Sequence, residues 1–442
     1  MDDMKIAYIC PDIGVPVLGN KGASVHVREI TDALVELGHH VQIYSATGAA
    51  NGAPDPGANT TRAPLTVLAP SERLRSRASF LAAGLARLDS QHDHTHLLSE
   101  VQQFLADPEF VGAALPLLRE FGPDLVIARH TLFSTAGSAL ARSLACPLAL
   151  EVNAPLVEER RRYWGLTLER EAEELESTAF ASADLLVAVS EGVRAYMVRH
   201  GAPRERIAVL PNGVNLARFH PTVDGSMVRH RYGLEDKVVI GFSGSLKAWH
   251  GVGMLMRAFA SVYNILSRGA ETRTPGLQLF IVGDGPQREL LVQLSHELGV
   301  ESAVTFSGAV PHSEIPTYLA AMDIGVAPYI SSDGFYFSPL KVMEYLAMGL
   351  PIVAPILGQI PSLIQGVGGP CGLLYPPDDQ HELASALLRL SRDAALRRQL
   401  GTRAAAQARV RASWQTIARQ IVESVSPRQR YAQERQLEIA PL

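Results

Sequence analysis

The hydrophobic positions of this chain fall into short unbroken runs separated by longer stretches of helical spacing. Lys5 to Cys10 is the first run and reads as a buried parallel strand. After it, Val27, Ile30, Ala33, Leu34 and Leu37 recur at helical intervals, and Gly38 closes the helix as a C-terminal glycine does. Val41 to Ser45 is the next strand, so the chain begins with a β-α-β unit and implies a parallel sheet. The alternation continues with strands at Leu125 to Arg129, Leu148 to Val152, Leu185 to Ser190 and Ile207 to Leu210. A second series places strands at Val238 to Ser243, Gln278 to Gly283, Val304 to Ser307, Ile324 to Pro328 and Pro351 to Ala354. Helical patterns cover Glu72 to Leu88, the charged stretch Glu158 to Glu176, and Glu382 to Val425 with breaks near Gly401 and Ala412. The polar, turn-rich stretch Pro221 to Asp236 reads as the interdomain connection. The expectation is an α/β protein of two doubly wound halves with a helical tail. Ligands of such sheets sit outside the carboxyl ends of the strands, and the crevice between two facing halves is the expected site.

Composition narrows the function classes. Hydrophobic residues make up 47% of the 442 residues, enough for sizeable cores. A net charge of −5 lacks the basic footprint of a nucleic-acid-binding protein. Cys10, Cys146 and Cys371 have no metal-ligand spacing and read as buried thiols of a reducing compartment. No secretory signal begins the chain, and no apolar run approaches the roughly 20 residues that span a bilayer. The expected location is cytoplasmic, with peripheral contact at a membrane's inner face left open. Arg73, Arg75, Arg77 and Arg87 on one helix motivate that contact, and an ordinary exposed helix is the plainer account. His92, His94 and His96 alternate in a polar loop, which more often marks solvated side chains than a metal site.

The candidate chemistry lies at the ends of strands. The first loop holds Gly14, Gly19 and Gly22 but no G-x-G-x-x-G, which argues against a dinucleotide-dependent oxidoreductase. Gly244, Ser245 and Lys247 leave a strand and precede Trp249-His250-Gly251, where a cation can meet an anion. Gly283-Asp284-Gly285-Pro286 leaves the next strand. Ser338-Pro339 suits a helix start with Ser338 as the cap, and helix-start N–H groups bind anions. Lys341 adds a charge there, and Glu344 follows at i+3, placed to accept hydrogen bonds from ribose hydroxyls. A surface Lys–Glu pair fits the same spacing equally well. The Arg160-Arg161-Arg162 run suits an anionic acceptor or, more plainly, a solvated helix face.

These residues carry a resemblance. The first loop with Gly19-Asn20-Lys21-Gly22-Ala23-Ser24-Val25-His26, the close Leu37-Gly38-His39-His40-Val41 and the segment Asp124 to His130 resemble successive motifs of the family 4 glycosyltransferases. Ala188-Val189-Ser190, Pro211-Asn212-Gly213-Val214, Gly283 to Pro286 and the helix Lys341 to Pro351 continue the match in order.

The resemblance implies retaining, nucleotide-sugar-dependent enzymes of the GT-B fold: two Rossmann-like domains facing across a cleft, with a C-terminal helix packing back on the first. Residues 1–215 would bind the acceptor, 216–410 the donor, and 411–442 would return to the first domain. It implies that Glu344 binds the donor ribose and that amides near Phe337, Ser338, Pro339 and Leu340 hold the diphosphate. The loop from Gly19 to Gly22 closes over the donor phosphate, and His130 touches the transferred sugar. Two positions depart from the family pattern. Tyr336 stands where the first glutamate of E-x7-E is usual, and Ser245 and His250 stand where an arginine and a lysine are usual. The cations expected to stabilise the leaving diphosphate are therefore Lys247 and Lys341, with His250 as a partial substitute. Asn153 and Arg160 are the acceptor-side candidates, the acceptor being a glycan, lipid or small metabolite. Neither a metal nor any other cofactor is expected. A nucleotide-sugar 2-epimerase and a non-catalytic donor-binding subunit are the competing readings.

Overall fold

Ile6 to Cys10 are wholly buried, as a strand covered on both faces must be, and they lie within a seven-stranded sheet. The computed structural model of the chain describes residues 3–19, 21–49, 60–88, 96–268, 276–331, 335–336, 338–366, 368–411 and 413–425. Described residues up to Pro211, together with those from Trp414, form one unit, and Asn212–Ser413 form the other. The boundaries therefore lie at Pro211/Asn212 and Ser413/Trp414 rather than 215/216 and 410/411. The stretch from Pro221 to Asp236 is not the interdomain connection but part of the second unit, where Ser226–Tyr232 is a helix and Val228 and Leu234 join the core.

The first unit contains β1 (Lys5–Cys10), β2 (His40–Ser45), β3 (Leu65–Val67), β4 (Leu125–Arg129), β5 (Leu148–Val152), β6 (Leu185–Ala188) and β7 (Ile207–Val209). All are parallel, in the order β3-β2-β1-β4-β5-β6-β7. The order reverses between β1 and β4, so the carboxyl ends of these two strands flank the switch point where such sheets take ligands. Residues 414–425 are helical and belong to this unit. Trp414 packs against His26 with ring centroids 5.0 Å apart, and Gln415 Nε2 donates to Glu36 at 2.5 Å.

The second unit contains β8 (Lys237–Ser243), β9 (Gly276–Val282), β10 (Val304–Gly308), β11 (Ile324–Val326), β12 (Ile352–Pro355), β13 (Gln365–Gly366), β14 (Gly369–Pro370) and β15 (Gly372–Tyr375). Its main sheet is parallel in the order β10-β9-β8-β11-β12-β15, with its switch point between β8 and β11. Successive side chains serve opposite faces: Val239 and Phe280 join one core, and Val238, Ile240, Phe242, Leu279 and Ile281 join the other. Each such side chain contributes about 1.5–3 kcal/mol on burial, and the two cores fix the strand ends that carry the loops.

Several elements differ from the sequence expectation. The apolar pattern does not reveal the helix Leu97–Phe121; Pro108 and Pro116 lie inside it, and each removes a backbone donor. The charged stretch splits into Leu156–Tyr163 and Glu169–Ser182, with Gly165 at φ +80° between them. Gly401 does not break its helix, Ala394–Arg411. A side chain at Gly401 would meet the Gly349 carbonyl oxygen at 2.3 Å, so the glycine serves close packing. The break falls at Asp393 instead, whose Oδ1 accepts from Leu396 N at 2.8 Å. Ala412 lies outside the described residues, as do His92 and His94. The described cysteines are unbridged, and burial pushes the Cys10 thiol up to about 12. Among the described residues no helix is long and apolar enough to cross a membrane, and no His, Cys, Asp and Glu cluster could hold a metal ion.

Candidate active site

The loop after β8 is shaped by backbone that only glycine adopts readily. Gly244 takes φ +141°, and its N–H donates to Val282 O at 2.9 Å. A side chain at Gly283 would strike the Gly244 carbonyl oxygen at 2.0 Å, and one at Gly285 would lie 2.7 Å from Leu246 N. Leu246 N also donates to Asp284 O at 2.9 Å. The loops after β8 and β9 are thus fastened backbone to backbone beside the switch point. A Cβ at Gly244 would stand 3.0 Å from Lys341 Nζ, so the glycine makes room for the lysine.

Lys341 lies in the helix Leu340–Met348, which follows β11 and feeds β12. The helix is capped at Pro339, not at Ser338 as the sequence suggested. Ser338 is occupied elsewhere: its Oγ accepts from Asn212 N, and its carbonyl accepts from Asn212 Nδ2, both at 2.8 Å. Lys341 and Glu344 are 8% and 9% exposed, which excludes the surface ion pair. Lys341 Nζ has no hydrogen-bond partner among the described residues. It sits 4.0 Å from the Phe242 ring centroid and 5.0 Å from that of Tyr329. Burial lowers its pKa to about 7, against a smaller raising effect of Glu344. Glu344 Oε1 is 3.0 Å from His312 Nε2.

His250 is not the substitute cation expected from the sequence. Burial, then the neighbouring Lys341 and Lys247, lower its pKa to about 3, so the ring is neutral. Its Nδ1 faces the Ser245 carbonyl in a short hydrogen bond, with Ser245 Oγ at 3.5 Å. Lys247 is exposed and lies over the Trp249 ring at 4.6 Å. Phe337 lies outside the described residues.

In the first unit, Gly19 N donates to Pro16 O at 2.9 Å, and the buried Arg28 donates to the carbonyls of Val17 at 2.5 Å and Gly19 at 2.7 Å. Gly22 begins the helix Gly22–Glu36. His130, just past β4, is only 6% exposed, and its Nε2 is 2.8 Å from Glu176 Oε2, with Tyr196 OH on the other carboxylate oxygen. Asn153 Nδ2 is buried without a partner among the described residues. Arg160 donates to Ser99 Oγ at 3.2 Å and lies 3.8 Å from Glu100, while Arg161 pairs with Glu169 and Glu173. Arg160 is half-buried, and Arg161 and Arg162 are exposed, as on a solvated helix face laced with surface ion pairs.

Sequence reasoning missed Phe242, Tyr329, His312 and Arg218. No local spacing joins them to Lys341 or Glu344; the fold does, by bringing β8, the loops after β10 and β11, and the segment after Pro211 to one helix. It also missed a pocket of about 640 Å³ at the carboxyl ends of β2 and β3, walled by Ile13, Leu18, Leu65, Val67 and Leu74, with Arg75 at its edge.

Comparison with known proteins matches this arrangement. Residues 20–218 match the family described as Glycosyltransferase Family 4, and residues 237–393 match Glycosyl transferases group 1. The chain is 26% identical over 413 residues to MMP alpha-(1->4)-mannosyltransferase of Mycolicibacterium hassiacum, covering 91% of this chain and 93% of that protein. It is 30% identical over 367 residues to D-inositol 3-phosphate glycosyltransferase of a Nocardioides species, covering 80% of this chain and 69% of that protein. Among solved structures, sucrose-phosphate synthase of Thermosynechococcus elongatus superimposes with a TM-score of 0.69 at 21% identity, over 97% of this chain and 99% of the other. Anabaena HepE in complex with UDP-glucose gives 0.67 at 21% identity, over 96% and 100%. The two parallel-sheet units have the GT-B fold, and with these matches the chain belongs to the family 4 glycosyltransferases.

Proposed function

We propose that this glycosyltransferase moves a sugar from a nucleoside diphosphate to an acceptor hydroxyl, with retention of anomeric configuration and without a metal ion. The observation that carries the donor reading is Lys341, a buried amine with no hydrogen-bond partner among the described residues, at the start of a helix. A buried cation without a partner is costly, and a diphosphate oxygen would relieve that cost. The N–H groups of the helix start add to the attraction for an anion. In this reading Glu344 accepts from the ribose, Lys247 adds charge at the surface, and His250 offers a neutral ring. His130 and the Gly19–Gly22 loop act on the sugar and phosphate. HepE, with the same fold, was solved with UDP-glucose, which supports a nucleotide-sugar donor.

The reaction breaks the bond between the anomeric carbon and the diphosphate oxygen. The acceptor oxygen bonds to that carbon on the same face, and the acceptor proton passes to the departing phosphate oxygen. Negative charge grows on the diphosphate in the transition state, where a fixed cation contributes most.

Thermal-shift measurement with UDP, GDP and ADP tests the donor reading, because a ligand raises the melting temperature by binding the folded state. Product NMR with the matching nucleotide sugar then tests retention, and the same assay with EDTA tests metal independence. No shift with any of the three nucleotides, or full activity in Lys341→Ala, would sink the site. An inverted product would sink retention alone.

The acceptor reading rests on the first unit. The pocket's apolar wall suits an acceptor with an apolar part, and Leu74 and Arg75 of that pocket lie on the arginine-bearing helix Glu72–Leu88. Phe80 on this helix is 80% exposed, with Leu81 and Leu85 also exposed. A helix offering arginines and apolar side chains together suits peripheral contact with an anionic membrane surface, from which a lipid-borne acceptor would be drawn.

A further inference from the structure

Glu344 is held by a chain of contacts that begins at Arg218. Arg218 NH2 donates to the His312 carbonyl at 2.9 Å and lies 3.3 Å from His312 Nδ1. A guanidinium carries only donors and keeps its charge. His312 Nδ1 must therefore accept, and the ring's proton resides on Nε2. That Nε2–H points at Glu344 Oε1, 3.0 Å away. Phe219 braces the arrangement, with its ring centroid 5.7 Å from that of His312 and 5.6 Å from the Arg218 guanidinium carbon. The three elements involved are the segment after Pro211, the loop after β10 and the helix Leu340–Met348, all in the second unit.

We infer that His312, with its tautomer fixed by Arg218, is a positioning residue that pins one oxygen of Glu344 and aims the other at the donor ribose. The inference rests on the reading of Glu344 as the ribose-binding carboxylate. A glutamate carboxylate otherwise turns about its last side-chain bond, and ordering it at the moment of binding weakens affinity. The His312 hydrogen bond settles that orientation before the donor arrives. It also leaves Oε2 as the carboxylate oxygen open to a hydroxyl, so ribose recognition depends on His312 although His312 itself need not touch the nucleotide.

The test compares nucleoside diphosphates with and without ribose hydroxyls on the full chain. Isothermal titration with UDP, GDP and ADP identifies the preferred base, and the 2′,3′-dideoxy form of that nucleotide supplies the reference. A hydrogen bond to a charged acceptor is worth about tenfold or more in affinity. His312→Ala should reduce the ratio of ribo to dideoxy affinity about tenfold, raise the donor KM by a similar factor and leave kcat within about twofold. His312→Gln, whose amide N–H can still donate to Glu344, should restore most of the ratio. Equal weakening of ribo and dideoxy forms, or a fall in kcat alone, would overturn the inference. Glu344→Ala separates the two layers. If it leaves the ratio intact, the ribose-binding reading itself fails. If it abolishes the ratio while His312→Ala does not, only the positioning role fails.

Discussion

Lys341 Nζ lies 4.0 Å from the centroid of the Phe242 ring and has no hydrogen-bond partner among the described residues. The ring face attracts a cation weakly, and that does not make up for lost water. The amine therefore has a pKa of about 7, lowered by burial and partly restored by Glu344. The neighbouring His250 is neutral, with its pKa near 3, and Lys247 is a like charge. A bound diphosphate would favour the protonated amine, so donor binding draws in a proton. Donor affinity should be flat below about pH 7 and fall by up to tenfold per unit above it. Calorimetry from pH 6 to 9 in buffers of different ionisation enthalpy reads both the affinity and the proton uptake. Lys341→Arg, which stays charged throughout, should flatten the profile. A wild-type profile already flat across this range would refute the coupling.

The same depressed pKa makes a stability prediction of definite sign. Between about 7 and 10.5 the unfolded chain holds a proton that the folded chain has released, so stability rises with pH in that window. Below 7 both states hold it, and the cost of the buried charge is complete. Lys341→Met removes the charge and keeps much of the volume. Its melting temperature should exceed that of the wild type most at pH 6, and the gap should narrow toward pH 10. Transfer activity should fall by about 10² to 10³ in the same variant, the magnitude typical of losing one transition-state contact. A Lys341→Met variant less stable than the wild type at pH 6 would show that the buried charge carries no such cost.

The short edge strands Leu65–Val67 and Gly372–Tyr375 escaped the sequence reading, but the rest of the two main sheets was legible because parallel strands buried on both faces are unbroken apolar runs. Val238 to Ser243 shows this, being β8 but for Lys237 at its start. The site was legible where one helix carries it, as with Lys341 and Glu344. It was not legible where the contact is long-range: His312 and Glu344 are 32 positions apart, and Arg218 and His312 94 apart. Spacing also cannot tell a charged histidine from a neutral one. His250 follows Lys247 in a loop that reads as cationic, and only burial beside two lysines reveals the neutral ring. Pro108 and Pro116 hid a helix of 25 residues, because a proline is read as an interruption wherever neighbouring packing is unknown. Ser338 has the chemistry of a helix cap, yet Asn212, remote in sequence, claims both its hydroxyl and its carbonyl.

Gly244 sets the space around Lys341, so adding one methyl group there tests the arrangement without removing any charge. Gly244→Ala places a Cβ 3.0 Å from Lys341 Nζ and 3.3 Å from Cε, at a backbone φ of +141°. Strain of this kind costs about 1–3 kcal/mol, which should lower the melting temperature measurably yet leave the unit folded. The displaced amine should lose its approach to the diphosphate, with kcat/KM falling toward that of Lys341→Ala. The double variant should be little worse than either single one, since both act through one group. Additive losses in the double variant would show that Gly244 acts elsewhere.

The exposed face of the helix Glu72–Leu88 yields a prediction about location. Arg73, Arg77 and Phe80 are exposed and follow one another at helical intervals, while Leu74, Ala78 and Ala82 on the other side are buried. Each arginine near an anionic surface is worth about 1 kcal/mol, and an inserted phenylalanine adds apolar burial. Vesicles containing phosphatidylserine should therefore carry the protein upward in a flotation gradient, and pure phosphatidylcholine vesicles should not. Raising the salt to about 0.5 M shortens the screening length to a few ångströms and should release most of the protein. Arg73→Glu with Arg77→Glu should abolish flotation at low salt, and Phe80→Ser should weaken it at every salt concentration. All three positions belong to the first unit and the donor site is read in the second, so nucleotide thermal shifts should be preserved in both variants. Flotation that ignores lipid charge, or that survives the double charge reversal, would remove this helix as the membrane contact.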